Sequence, residues 1–269
     1  MADVKFNELA IVYRGQTIQI EYFLRGGRRG TVLYLHGLGC YKNDFMGAVD
    51  VDRLKPYTLV AFDFPGCGNS PYLANVNLGM DELVEITNIV VSELDLGDVV
   101  LIGHSMGGLV GLLYAEKYNE HVKGFIDVEG NLALEDCFFS GKIAGYGSTG
   151  FTKEVLERFQ RKLAQSDSKA LREHAQALGD ASEKALFDYS FSMVDYSENG
   201  NLISRFSGLQ IPKLFIYSVE SSGLSYIPKL KDSVCEVVKI PDSSHFMFYD
   251  NPKAYYHEVS NFLDKVFAR

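Results

Sequence analysis

The chain has 269 residues, 46% of them hydrophobic, and a formal net charge of −9. That length predicts one domain with a sizeable insertion and a large core. The acidic balance argues against nucleic acid and anionic membrane surfaces as partners, leaving a small-molecule substrate as the expected one.

Met1 to Glu8 lacks the basic and apolar runs of a secretory leader, and no later stretch is long enough to span a bilayer, so a cytoplasmic protein is expected. Phe6 to Tyr13 and Thr17 to Phe23 alternate polar and apolar around Arg14-Gly15-Gln16, which predicts a leading antiparallel hairpin. Thr31 to Leu35 and Tyr57 to Phe62 read as short buried strands. Leu83, Ile86, Ile89, Val90 and Leu94 have helical spacing within Met80 to Leu94. A strand follows at Val99 to Ile102, a helix-like run at Gly108 to Glu116, and a strand at Val122 to Val128. Lys153 to Ala164, Lys169 to Leu178 and Ala181 to Met193 then all look helical, with Ser or Asp near their starts. Strands resume at Lys213 to Tyr217 and Cys235 to Ile240. An amphipathic helix from Asp250 to Phe267 closes the chain, with Pro252 early in it where proline is tolerated.

This alternation predicts an α/β fold with a mostly parallel sheet. Residues 1–130 and 208–269 form the expected core, and 131–207 a helical lid inserted after the sixth strand. Cys40, Cys67, Cys137 and Cys235 contain no C-x-x-C pair. They read as reduced thiols acting as small apolar fillers, and neither a metal site nor a cofactor is implied.

Chemistry concentrates where strands end. Gly103-His104-Ser105-Met106-Gly107 is a G-x-S-x-G pattern between a strand and a helix. A strand that turns sharply into a helix leaves its middle residue strained and exposed, and glycines on either side avoid collisions with neighbouring backbone. Ser105 would stand out as a nucleophile, and the Met106 N–H would point at developing negative charge. His36-Gly37-Leu38-Gly39 follows the third strand, Asp63 to Ser70 the fourth, Glu129 the sixth, and Pro241-Asp242-Ser243-Ser244-His245 the last. Ligands bind at the carboxyl ends of such strands.

This set, H-G, D-x-P-G-x-G-x-S, G-H-S-M-G-G and a late His before an N-P helix, resembles the α/β-hydrolase superfamily in content and order. The resemblance covers nearly the whole chain apart from the lid. It implies Ser105 as nucleophile, His245 as general base, and an oxyanion hole from the Leu38 and Met106 N–H groups. Relatives commonly place an Asp four residues into the segment after Lys213 to Tyr217. Here that slot holds Ser221, with Glu220 one position early. Haloalkane dehalogenases of the same superfamily carry their acid in a matching V-K-G-x-x-x-x-E segment, which puts Glu129 ahead of Glu220 and Asp242 third. Glu129 has a second reading, as a cap or turn residue before the lid.

His36, Gly37, His104 and Phe246 border the expected site. His36 reads as a support for the Leu38 loop and His104 as packing beside the strand, while His121, His174 and His257 default to the surface. Aromatics such as Phe138, Phe139 and Phe159, together with Met106 and Leu38, predict an apolar pocket for a modest acyl or aromatic group. Lys142, Lys153 and Arg158 read as solvent-facing and offer no counter-ion. The leading expectation is a serine hydrolase on a small carboxylic ester, thioester or lactone. A carbon–carbon bond hydrolase or acyltransferase with the same triad, or a slow-turnover ligand-binding receptor, remains open beside it.

Overall fold

Strand β1 (Lys5–Tyr13) pairs with β2 (Gln16–Arg25) through a two-residue turn at Arg14 and Gly15. Both turn residues have positive φ, 48° and 77°, the turn whose twist matches that of the flanking strands. The remaining strands are β3 (Thr31–Leu35), β4 (Thr58–Phe62), β5 (Val99–His104), β6 (Val122–Val128), β7 (Lys213–Ser218) and β8 (Glu236–Ile240). They form one eight-stranded sheet in the order β1-β2-β4-β3-β5-β6-β7-β8, parallel from β4 to β8. This computed structural model describes residues 4–73 and 75–268.

Helices α1 (Met80–Glu93) and α2 (Met106–Lys117) join one core cluster with residues of the sheet. On the other side, α9 (Met247–Asp250) and α10 (Pro252–Phe267) pack with Phe45, Val49 and Leu54 in a second cluster. The sheet is thus covered on both faces, as its parallel strands require. The expected closing helix is two pieces, because Asn251 ends α9 and its side chain caps α10 by accepting the Ala254 N–H at 3.2 Å.

Between β6 and β7 lie α3 (Ser140–Ala144), α4 (Lys153–Ala164), α5 (Lys169–Gly179), α6 (Glu183–Asn199) and α7 (Leu202–Gly208), and α8 (Ile227–Lys231) lies between β7 and β8. The serine caps are in place: Ser168 accepts from the Leu171 N–H and Ser182 from the Ala185 N–H. Helices α3 and α7 are too short for a periodic signal, and α6 runs six residues past Met193. Leu178, Leu186, Tyr189 and Met193 are buried in the same cluster as α1 and α2, which docks the insertion on the sheet.

The step from β5 into α2 fixes the functional end of the molecule. A Cβ on Gly107 would lie 2.1 Å from the Leu35 carbonyl oxygen, so only glycine lets α2 start this close to β3. Relief would require moving backbone on two elements, so Gly107→Ala is expected to cost about 3 kcal/mol, read from urea denaturation.

Candidate active site

Ser105 sits between the last residue of β5 and the first of α2, at φ 53° and ψ −119°. A non-glycine residue there carries strain on the order of 1–3 kcal/mol, sustained by surrounding structure. That structure includes the Ser105 N–H, which donates to the Val128 carbonyl at 3.0 Å and ties the turn to the end of β6. One strand further, Glu129 also has positive φ, 47°, and its N–H donates to the Ile216 carbonyl of β7.

The Glu129 carboxylate accepts from two sides. Its Oε1 takes the Ser218 N–H at 2.6 Å, and its Oε2 takes the proton on His245 Nδ1 at 2.6 Å. His245 comes from the loop between β8 and α9, so the ends of β5, β6 and β8 supply the three side chains, with Ser218 at the end of β7 holding Glu129. With Nδ1 used as donor, Nε2 is left as the basic nitrogen. Ser105 and His245 line the same cavity, of about 900 Å³. Glu220 lies in an exposed turn after β7, and Asp242 is exposed too; the carboxylate hydrogen-bonded to the imidazole is that of Glu129.

His104 links the serine turn to the histidine loop. Its Nε2–H donates to the His245 carbonyl at 3.0 Å, and the two rings lie 4.6 Å apart. Phe138 meets the His245 ring edge-on at 5.1 Å. On the opposite wall, Gly37 lies so near the serine turn that a Cβ on it would sit 2.9 Å from His104 Nδ1. Among the described residues, the Leu38 and Met106 N–H groups donate no backbone hydrogen bond, unlike their neighbours Ser105 and Gly108.

With this geometry, residues 30–214 match the sequence profile of the alpha/beta hydrolase fold. The chain belongs to that family. It is 24% identical over 250 residues to a presumed esterase/lipase of Mycoplasma pneumoniae, covering 89% of this chain and 91% of that one. It resembles in structure the N-acyl homoserine lactonase AidH at a TM-score of 0.79 and 17% identity, covering 98% of each chain. A thermophilic esterase from Thermogutta terrifontis aligns with a TM-score of 0.78 at 18% identity, over 98% of this chain and 99% of that one. At these identities the structural likeness is one of fold.

In this α/β hydrolase, burial alone would push the Glu129 carboxyl up. The hydrogen bond and charge of His245, with the Ser218 N–H, outweigh that and hold it down from 4.5 to about 2. It is therefore a carboxylate throughout the neutral range. Burial drives the other nearby rings the opposite way from a base's usual charged form: His36 falls to about 4, His174 to about 3, and His104 well below 6.5. All three are neutral at pH 7.

Not every expected residue borders the cavity. Gly37, Leu38, His104 and Phe246 line it, whereas His36 is fully buried behind it. The His36 Nδ1–H donates to the Gly37 carbonyl at 2.8 Å, and Nε2 accepts the Phe64 N–H at 2.9 Å, so the ring holds the Leu38 loop against the loop after β4. His174 also departs from expectation. It is buried, lines the cavity from α5, and lies 3.6 Å by Nδ1 from the Cys40 sulfur. Only the docking of the insertion brings it there. All four cysteines are buried and free.

Lys42, unremarked in the sequence, anchors the same loop. Its N–H and its Nζ each donate to Asp63 at 2.7 Å, and Nζ also pairs with Glu21. The side chains of Lys42 and Asp63 are 2% and 0% exposed. Removing the cation strands a buried carboxylate, so Lys42→Met is expected to cost about 3–5 kcal/mol in denaturation experiments. The sequence carries no signal for this role, because Lys42 stands beside Asn43 and Asp44 in a segment of mixed polarity.

Proposed function

We propose that this hydrolase cleaves small, mostly apolar carboxylic esters, including thioesters and lactones, through an acyl-enzyme on Ser105. The observation that carries the reading is the Glu129–His245 hydrogen bond of 2.6 Å beside a strained Ser105 on the same cavity. Glu129 fixes the tautomer with the proton on Nδ1 and stabilises the imidazolium. His245 Nε2 takes the Ser105 proton as Oγ attacks the acyl carbon, then returns it to the leaving alcohol. The Leu38 and Met106 N–H groups receive the oxyanion, and α2 points its N-terminus at that charge. Water, activated by the same nitrogen, then releases the acid.

The segment 131–207 acts as the lid over this chemistry. Phe138, Phe139, Leu163 and Leu171 line the cavity from it, which supports an uncrowded apolar acyl site. Charged insertion residues Lys142, Lys153 and Arg158 are exposed. Among the described residues no helix is long and apolar enough to cross a membrane.

Turnover of p-nitrophenyl butyrate, with covalent labelling by a fluorophosphonate read as intact mass and mapped to Ser105, tests the proposal. Labelling at another residue, or none together with no turnover, overturns it.

A further inference from the structure

The cavity around Ser105 and His245 is unbalanced in charge. Besides the triad carboxylate, its lining includes Asp136, Glu220, Asp242 and Asp250. Among the described residues, Lys169 is the one Lys or Arg in that lining, and it is exposed at the start of α5. Neutral donors hold two of these carboxylates. Asp136 accepts the Leu132 and Ala133 N–H groups, each at 2.8 Å, and the Tyr226 hydroxyl at 2.9 Å. Asp250 accepts the Ser244 N–H at 2.8 Å and its hydroxyl. These bonds orient the carboxylates; burial raises Asp136 to about 6 despite them, so it carries its charge at pH 7 and above. Apart from the Glu129–His245 pair, the ion pairs of the described residues run elsewhere on the surface or through Lys42.

Leu38, Phe139, Leu163, Leu171, Met193 and Phe246 supply the apolar part of the wall, and its other polar groups are neutral serines and histidines outside the triad. An acyl chain ending in a carboxylate would leave water, meet no cation but the exposed Lys169, and face several like charges. A chain ending in a cation loses the same hydration but is attracted by the rim. A plain apolar pocket would treat the two ions alike.

We propose that this enzyme selects its acyl group by charge, accepting uncharged chains and rejecting anionic ones, so that its substrates are neutral esters rather than half-esters of dicarboxylic acids. The inference rests on the serine-hydrolase reading and narrows its substrate class.

The test compares kcat/KM for p-nitrophenyl esters of one chain length, corrected for enzyme-free hydrolysis: hexanoate, methyl adipate, adipate and ω-aminohexanoate. The anionic adipate is expected to be cleaved at least about tenfold more slowly than both its neutral methyl ester and the cationic aminohexanoate at low salt. The gap is expected to shrink as the Debye length falls from about 30 Å at 0.01 M to about 3 Å at 1 M salt. Combining Glu220→Gln with Asp242→Asn, both at exposed positions, is expected to raise the ratio of adipate to hexanoate turnover. Adipate cleaved as fast as its methyl ester, or adipate and aminohexanoate rejected equally, would overturn the charge selection while leaving ester hydrolysis standing. Absence of turnover on all four, with no fluorophosphonate labelling, would instead overturn the serine-hydrolase reading and this selection with it.

Discussion

Ser105→Ala is expected to lower kcat on p-nitrophenyl butyrate by about 10⁶-fold and to abolish fluorophosphonate labelling. The substitution removes one oxygen and leaves the turn, the Glu129–His245 pair and the free Leu38 and Met106 N–H groups in place. What is lost is the covalent route; water must then attack directly, aided only by oxyanion stabilisation and binding. KM is expected to change little, because the cavity wall is unaltered. The backbone strain also makes a separable forecast. At φ 53° and ψ −119° alanine is as unfavourable as serine, whereas glycine relaxes it. Ser105→Gly is therefore expected to melt at a higher temperature than Ser105→Ala while being equally inactive. A Ser105→Ala enzyme that kept most of its turnover would show that another group is the nucleophile.

Glu129→Gln is expected to reduce kcat by about 10⁴-fold, by fixing the wrong tautomer rather than by unfolding the site. The two oxygens of Glu129 have different partners. Oε1 accepts from the Ser218 N–H, and only an oxygen can stay there. In the Gln side chain the amide oxygen takes that place, so the NH₂ group is turned towards His245 Nδ1. A donor facing Nδ1 requires Nδ1 to be unprotonated, which moves the ring proton to Nε2, where the base is needed. The Ser218 bond is kept, so the thermal midpoint is expected to move far less than the rate. Glu220→Gln, in an exposed turn, is expected to leave kcat close to the parent value. Near-parental turnover by Glu129→Gln, or a comparable loss in Glu220→Gln, would refute this assignment of the acid.

Much of the architecture is legible in the chain because its signals are local. Alternating polarity and the Arg14-Gly15 turn announce the hairpin, spaced apolar residues announce α1, and a serine near the start announces α5 and α6. The strained serine is legible too, since a run of buried β residues followed by Gly-His-Ser-Met-Gly leaves few backbone routes into a helix. Positions that depend on neighbours far along the chain fare worse. His36 supports the Leu38 loop as its residues suggest, yet it does not border the pocket, because the loop after β4 turns its ring inward to the Phe64 N–H. His174 looks like a surface residue on an amphipathic helix, and only the docking of α5 closes it over Cys40.

By itself the sequence determined the order of elements, the sharp turn at Ser105 and the presence of a late histidine, all of which follow from interactions between residues a few places apart. Which carboxylate serves that histidine was decided only in three dimensions. Glu129 and Glu220 each follow a strand and each suit the role chemically; the parallel registration of β6 with β7 puts the Ser218 N–H under one oxygen of Glu129 and leaves the other for His245. The V-K-G-x-x-x-x-E resemblance ranks Glu129 first, but the hydrogen bonds themselves depend on the alignment of strands whose residues are about ninety positions apart.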